Sequence, residues 1–448
     1  MDAQYQLAMG PTDSPPLPTS SSVWHPATRV AFRFCFVYLG LYILTTQMMF
    51  GTLIPLPAGE LPELGTLPPF RTVVTWLANH LFGVTSPLVV TGSGSGDKTF
   101  DWVQVFCFLA IAVAATPTWT FLDRKRKNYV DLHKWFRLFV RFGLGSTMVI
   151  YGAFKAVPLQ MGFGPSLTRL VEPYGNFSPM GVLWSFVGAS PTYQSFTGCV
   201  ELVGGILLFL PRTTTLGALL CFADAVHVFT LNMTYDVPVK LLSFHLILFS
   251  LFLLAPDGSR LTNVFLLNRT ASLSSQPPLV RGRRGRRIAL GAQVCFGAYV
   301  IAISFYSVTR QWGQYGGGSP RSPLYGIWNV EQMSVDDQIR PPLLTDDGRW
   351  RRVIFDFPFL MTFQRMDDRF VWYGASIDQN LKSVTLTNSS DKNWKATFSF
   401  QRPAADRLVL EGEMDGRKVR MQLVLLERQK FLLINRGFHW VQEYPFNQ

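Results

Sequence analysis

The chain has 448 residues, of which 48% are hydrophobic and only 16% are charged, and its mean hydropathy is +0.18. This composition excludes an ordinary soluble enzyme, because such proteins carry about a quarter charged residues, and it predicts membrane-spanning helices. The net charge of +12 does not indicate a nucleic-acid partner, because the surplus lies in the apolar part. Residues 1–324 hold 24 Lys and Arg against 13 Asp and Glu, whereas residues 325–448 hold 17 against 16.

The positive charge is concentrated in two short loops. One contains Arg124–Lys127, and the other contains five arginines between Arg281 and Arg287. Basic clusters that flank apolar helices are typical of cytoplasmic loops. We therefore expect residues 121–134 and 257–286 to lie in the cytoplasm, and we expect no nucleic acid as a partner.

The first 24 residues are rich in Pro, Ser and Thr, which predicts a disordered N-terminal tail. This tail lacks the basic start and short apolar core of a cleavable signal, so we expect it to stay attached. Seven segments that are long and apolar enough to cross a bilayer follow it, within a predicted helical domain of residues 25–310. They lie near residues 28–50, 100–120, 135–157, 193–211, 213–233, 237–256 and 287–309.

Seven crossings with cytoplasmic basic loops place the N-terminus in the cytoplasm and the C-terminus outside. The sequence thus predicts a multi-pass protein of a bacterial-type inner membrane, with the lipid bilayer as its first partner. The loops at 51–99 and 158–192 then lie outside. The first contains an amphipathic stretch at Phe70–Phe82 that predicts an interfacial helix. The second contains Met180–Val187, which we interpret as a short re-entrant segment.

The sequence changes character after a Gly/Ser/Pro linker at residues 311–323. In residues 324–448, short blocks of alternating apolar and polar residues recur, including Trp350–Phe355 and Phe431–Asn435. Asp-Gly pairs at 347–348 and 415–416 are typical of turns between antiparallel strands. We therefore expect an exported, all-β domain of about eight to ten strands, either a barrel or a sandwich.

The five cysteines are widely spaced and occupy apolar segments: Cys35, Cys107, Cys199, Cys221 and Cys295. The sequence has no Cys-x-x-Cys, which a dithiol exchange site or thiolate cluster would need. We predict small buried residues here and no metal site.

Ionisable residues in the apolar segments are candidates for a site, because charge at membrane depth is costly. In the third segment, Arg141, Gly145, Met148, Gly152 and Lys155 follow helical spacing and share one face. The arginine and the lysine either reach opposite membrane surfaces or serve a function. The fourth segment carries Glu201 beside a glycine pair, and a lone carboxyl group there must be protonated or paired.

The fifth and sixth segments add further polar residues. Asp224 and His227 lie three apart on one helix face, where they can relay protons or form a structural pair. Asp236 and Lys240 are spaced for a helical ion pair, and His245 lies deeper. Three consecutive helices can pool Glu201, Asp224, His227, Lys240 and His245 into one site, or these residues can pair off separately.

Residues 151–269 resemble the DoxX-like family of membrane proteins. The matching stretches are Tyr151–Lys155, Phe196–Gly217, and Asp236–Lys240 with Leu251–Asp257. The resemblance implies a four-helix core and an association with respiratory or thiol oxidoreduction, including quinone-linked reactions in some members. It thus implies quinone as a cofactor and membrane redox proteins as partners.

The C-terminal domain carries a second, shorter resemblance. Gly326-Ile-Trp328 looks like the Gly-x-Trp of lipocalin-like barrels, in which an arginine from a late strand packs across the tryptophan. Arg436 is the candidate arginine in this chain. The resemblance implies that the barrel encloses a small apolar ligand.

Three functions are therefore consistent with the sequence. The first is a DoxX-like bundle in a quinone-linked redox process. The second is binding or transport of a lipid or another small apolar molecule with help from the β-domain. The third is a membrane scaffold or assembly factor, and the sequence alone does not decide whether the protein is an enzyme.

Overall fold

The computed structural model describes residues 23–56, 61–271, 277–391 and 393–447. A helical part is followed by a β-barrel, as the change in sequence character predicts. The predicted disordered tail, residues 1–24, lies outside the described residues except for its last two positions.

Helices lie at each of the seven predicted positions, with shorter helices between them. Among the described residues, five helical segments are long and apolar enough to cross a membrane: Pro26–Thr45, Thr99–Leu122, Thr214–Thr234, Lys240–Phe265 and Arg283–Tyr315. The helices are α1 (Pro26–Thr45), α2 (Pro68–His80), α3 (Thr99–Leu122), α4 (Val130–Ala156), α5 (Pro179–Ala189), α6 (Pro191–Phe209), α7 (Thr214–Thr234), α8 (Lys240–Leu254), α9 (Gly258–Phe265), α10 (Arg283–Tyr315) and α11 (Leu432–Asn435). Seven crossings remain a prediction, because α4 and α6 carry the buried charges described below.

Helix α4 lies at the centre of the bundle and packs most closely against α6. A side chain at Gly152 would lie 2.7 Å from the backbone nitrogen of Leu202, and one at Gly198 would lie 2.2 Å from that of Ala156. Small residues at facing positions let two helix backbones approach closely. The glycines therefore fix the α4–α6 contact, and with it the position of any polar residue on that face.

Helix α1 ends in an unusual way. After Thr45 the chain forms a π-helical turn at Met48–Leu53, in which the backbone is wider than in an α-helix. Thr52 in this turn is buried and its hydroxyl lies 2.8 Å from that of Thr147 on α4. The turn therefore remains packed against the central helix.

The C-terminal domain is a closed antiparallel barrel, which confirms the barrel alternative. The strands are β1 (Gly326–Val335), β2 (Gln338–Ile339), β3 (Trp350–Phe355), β4 (Leu360–Arg365), β5 (Phe370–Asp378), β6 (Ser383–Thr387), β7 (Lys395–Ala404), β8 (Arg407–Met414) and β9 (Arg417–Leu426). Pairing of β1 with β9 closes it, and β2 only extends β1. Trp328, Phe363 and Phe398 are 0% exposed inside it, so side chains fill the interior.

The last predicted strand was wrong. Residues Leu432–Asn435 form the short helix α11, because β9 already pairs with β1 and leaves no open edge at that side of the barrel. A short apolar run without alternation does not distinguish strand from helix. The predicted turn at Asp415–Gly416 is confirmed, since both residues have positive φ (53° and 71°) between β8 and β9.

The barrel packs against the loop between α4 and α5. Leu167 of this loop is 1% exposed and lies in an apolar cluster with Ile327 and Ile354 of the barrel. The Leu167 backbone N–H donates to Asp356 Oδ2 at 3.0 Å, and Gln364 Nε2 donates to the Val171 carbonyl at 3.1 Å. The loop thus joins the helical part to the barrel.

Candidate functional site

A buried ion pair joins α4 to α6. The Nζ of Lys155 donates directly to Oε1 of Glu201, and the two side chains are 10% and 4% exposed. Burying two charges is costly unless they pair, and in this contact each charge is offset by the other. The other carboxylate oxygen, Glu201 Oε2, has no hydrogen-bond partner among the described residues.

The glycine contact explains why this pair forms. Lys155 lies three residues after Gly152, and Glu201 three residues after Gly198, so each charged side chain shares a face with its glycine. Because the backbones nearly touch at the glycines, the side chains one turn away meet across a narrow gap. The predicted common face of α4 is therefore the face that packs against α6.

A second carboxyl group reaches the pair from α7. Asp224 is half-buried and interacts electrostatically with both Glu201 and Lys155. The cluster Lys155, Glu201 and Asp224, which we call the ionic cluster, thus joins three helices. His227, the predicted neighbour of Asp224, is exposed on the outside of α7.

Arg141 lies at the other end of the same face of α4, and it is 7% exposed. Its guanidinium donates to Thr214 Oγ1 at 3.2 Å and to Oε1 of Gln293 on α10. The side chain is therefore held inside the bundle. Nothing in the apolar sequence around Gln293 indicated this partner.

His245 is 1% exposed but lies apart from the ionic cluster, against α1. Its Nδ1 lies 2.7 Å from the Leu241 carbonyl, which only accepts, so Nδ1 carries the hydrogen. In the neutral ring Nε2 then accepts from the Tyr38 hydroxyl at 2.9 Å, and the ring stacks on Tyr42 with centroids 3.6 Å apart. Each polar atom of the imidazole has a partner.

Lys240 also lies apart from the ionic cluster, at the start of α8. Its Nζ is 3.0 Å from Asp236, as the spacing predicts, and 3.8 Å from Asp97. The Asp97 carboxylate also accepts from the backbone N–H groups of Lys240 and Leu241 at 2.8 and 2.9 Å. A negative charge beside the N-terminus of a helix stabilises the helix. Asp97 is distant from α8 in sequence, and the fold places it there.

In the barrel, the indole N–H of Trp328 donates to the Leu324 carbonyl at 2.9 Å. The guanidinium of Arg402 on β7 lies over its ring, 5.7 Å from the ring centroid. Arg436, the arginine expected from the sequence, contacts His439, Gln442 and Phe446 instead. That placement was wrong because the chain leaves the barrel after β9, so Arg436 does not lie on a strand.

No group of three His, Cys, Asp or Glu side chains within the described ranges is placed to hold a metal ion.

Comparison with known proteins identifies a relative among curated proteins. No family model matches the chain, and no solved structure matches it. The "Uncharacterized protein YwoB" of Bacillus subtilis (strain 168) is 32% identical over 130 residues, which cover 29% of this chain and 79% of that protein. This chain belongs to the family of YwoB. The name of that relative states no activity, so membership of the YwoB family leaves the function to be argued from the site.

Proposed function

We propose that the protein is an integral membrane protein whose ionic cluster binds and releases a proton in a quinone-linked redox process. The observation that carries the proposal is that two carboxyl groups, the buried Glu201 and the half-buried Asp224, interact with one ammonium group, that of Lys155. One cation neutralises only one carboxylate. A proton on the cluster would balance the second, and charged groups at membrane depth commonly mark proton routes.

The positions of the two carboxyl groups support a direction for that proton. Glu201 Oε2 is buried and meets no hydrogen-bond geometry with the described residues, whereas Asp224 is only half-buried. A proton can therefore enter at Asp224 and pass to Glu201, while Lys155 holds the two groups together. Reduction of a quinone takes up protons, and its oxidation releases them, so such a cluster suits a quinone-linked step.

Infrared difference spectroscopy of the full-length protein during a pH titration tests the proton. A protonated buried carboxyl band is expected in the wild type and is expected to be lost or shifted in Glu201→Gln and Asp224→Asn. The exposed Asp236→Asn variant is the matched control and is expected to keep the band. A band that is absent from the wild type, or unchanged in both cluster variants, contradicts the proposal.

The quinone is tested separately. Solvent extraction of protein purified in mild detergent is expected to yield bound quinone, or added quinone is expected to change the carboxyl band. If neither occurs, the redox assignment and the proposed redox partner proteins fail, even if the carboxyl group titrates.

We also retain the DoxX-like assignment, the lipocalin-like assignment and the exported position of the barrel as proposals. A phosphatase reporter fused after residue 315 is expected to be active, because the proposed topology places α10's end outside the cytoplasm. Activity of a cytoplasmic reporter at the same position would reverse the topology.

A second candidate function is that of a membrane scaffold, and the direct Lys155–Glu201 contact favours it. A buried pair of opposite charges can hold α4 against α6 with no proton transfer. In that case Glu201→Gln is expected to lower stability without removing any titrating carboxyl band.

A further inference from the structure

A cavity of about 400 Å³ lies between the π-helical turn, α4 and the last turns of α10. One wall is apolar and includes Phe50, Ile150 and Phe154. Pockets that hold small ligands typically measure about 300–1,000 Å³, so the volume suits part of an amphipathic molecule. None of these residues belongs to the ionic cluster.

The residues that α10 contributes to the cavity lie on one face of that helix and are mostly polar. Ser304, Ser307, Gln311 and Gln314 line the cavity together with Arg310. The protein satisfies some of these groups: Ser304 donates to the Val300 carbonyl at 2.6 Å, and Gln311 donates to Ser307 at 3.1 Å. Arg310 forms no hydrogen bond or ion pair with any residue that the structure describes.

Arg310 also lies where α10 changes from apolar to polar. Between Ile288 and Thr309 the helix carries no charged residue, and then Arg310 and Trp312 follow. Tryptophan and basic residues at the end of an apolar helix mark the level of the lipid headgroups. The cavity therefore has a cation at headgroup level and apolar side chains beside it.

We propose that this cavity binds an anionic phospholipid, whose phosphate pairs with Arg310 and whose first acyl carbons contact Phe50 and Phe154. A guanidinium matches a phosphate group in charge and geometry. A quinone carries no formal charge for the arginine to neutralise, and a free phosphate ion would leave the apolar wall without a contact. The inference is independent of the proton function proposed above.

The π-helical turn allows the cavity to be filled by mutation. A Cβ atom added at Gly51 would meet only the Gln47 Cβ, at 3.8 Å, although Gly51 lines the cavity. A larger side chain there has room and takes up ligand space. Gly291 on α10 has no neighbour within 4 Å of an added Cβ and supplies the matched control.

Native mass spectrometry of the full-length protein with added phosphatidylglycerol tests the proposal. Arg310→Gln and Gly51→Leu are each expected to weaken binding about tenfold. The first removes one charge-assisted contact with the phosphate, and the second fills space that the lipid would occupy. Arg287→Gln, at the other end of α10, and Gly291→Leu are expected to bind like the wild type. Phosphatidylcholine is expected to bind more weakly than phosphatidylglycerol.

Several results would overturn the lipid assignment. Equal binding of phosphatidylcholine would show that charge is not recognised, and displacement by inorganic phosphate would identify an ion site. Displacement by ubiquinone would assign the cavity to a quinone. Should Gly51→Leu fail to fold, unchanged binding in Arg310→Gln alone would refute the proposal, because the Arg310 side chain is exposed and its replacement is not expected to unfold the protein.

Discussion

The ion pair between Lys155 and Glu201 is the residue-scale feature with the largest energetic consequence. Removing one partner of a buried pair leaves an uncompensated charge, which typically costs about 3–5 kcal/mol, whereas replacing both partners is often far less costly. Asp224 makes the two single changes unequal. Without Glu201 the ammonium still has a carboxylate nearby, but without Lys155 two carboxyl groups remain with no cation.

We therefore expect Lys155→Met to destabilise the protein by about 3–5 kcal/mol and Glu201→Gln to destabilise it less. The double variant is expected to recover part of the loss seen in Lys155→Met alone. Thermal unfolding in detergent of the wild type, the two single variants and the double variant measures these stability differences. Equal losses in the two single variants would mean that Asp224 does not interact with Lys155 as described.

Glycine at position 152 has a steric role. A methyl group there would lie 2.7 Å from a backbone atom of α6, so Gly152→Ala must push the helices apart. We expect a lower unfolding temperature and weaker pairing of Lys155 with Glu201. Gly291→Ala, where an added Cβ meets no neighbour, is expected to stabilise α10 by about 0.5–1 kcal/mol through helix propensity. A stabilising effect of Gly152→Ala would contradict the described contact.

At the scale of a single element, the start of α8 is held by a residue distant in sequence. Pro238 precedes α8. The Asp97 carboxylate accepts hydrogen bonds from the backbone N–H groups of the first two residues of α8, Lys240 and Leu241. These groups have no partners within the helix itself, so an anionic acceptor from another segment satisfies them. The loop that carries Asp97 is fixed as well, because Gly96 N–H donates to the Pro238 carbonyl at 2.8 Å.

Asp97→Asn is expected to destabilise the protein by about 1 kcal/mol, because it removes one acceptor oxygen and the favourable charge. Asp236→Asn is the matched control. The Asp236 side chain is 83% exposed, and its change is expected to cost less than about 0.5 kcal/mol. Thermal unfolding in detergent compares the two variants. An equal loss of stability would contradict the proposal that Asp97 stabilises the start of α8.

Local sequence patterns predicted the positions of helices and strands better than they predicted the contacts between them. Helical spacing gave the shared face of Gly152 and Lys155, and alternation gave the strand Trp350–Phe355 with the bounds seen in the structure. Contacts made across the fold had no local signal. Asp97 lies 143 residues from the backbone N–H it caps, and Tyr38 lies 207 residues from the histidine it contacts.

Arg436 shows the opposite error, in which a short motif suggested a partner that the chain path does not permit. The site itself was only partly predictable. Apolar surroundings identify costly charges such as Glu201, but helix order does not say which of them meet. Lys240 and His245 share α8 with no direct link to Glu201, because they point towards other neighbours.

At the scale of the whole molecule, one loop connects the two parts. Gln194 of α6 is 0% exposed and binds this loop on the helical side, accepting from Met161 N–H at 2.7 Å and donating to the Gly162 carbonyl at 3.0 Å. On the barrel side the Leu167 N–H binds Asp356. The barrel is thus held by packing as well as by the covalent connection.

The Asp356 carboxyl makes this contact sensitive to pH. Burial raises its pKa above 3.8, although the hydrogen bond from Leu167 opposes the shift. Because the folded protein then binds the proton more readily than the unfolded chain, the contribution to stability is fully present below 3.8 and is lost as pH rises through the raised pKa.

We expect the unfolding midpoint of the wild-type barrel, measured in the full-length protein, to rise relative to that of Asp356→Asn as the pH is lowered towards 3.8. The exposed Asp406→Asn variant is expected to follow the wild type. Parallel curves for the wild type and Asp356→Asn would show that this carboxyl does not titrate in the contact.

Because β1 pairs with β9, the barrel can close only after its last strand has been synthesised. Strand β1 begins eleven residues after the end of α10, at 326 against 315, so it is held close to the bundle from the moment it is made. Its partner is the last strand of the barrel, and contacts of such long sequence separation form slowly. A chain that stops before β9 would leave β1 and β8 with unpaired edges beside the bundle, and exposed edges of this kind favour aggregation. The domain is therefore expected to stay soluble only when β9 is present, and chains that end before β9 are expected to aggregate.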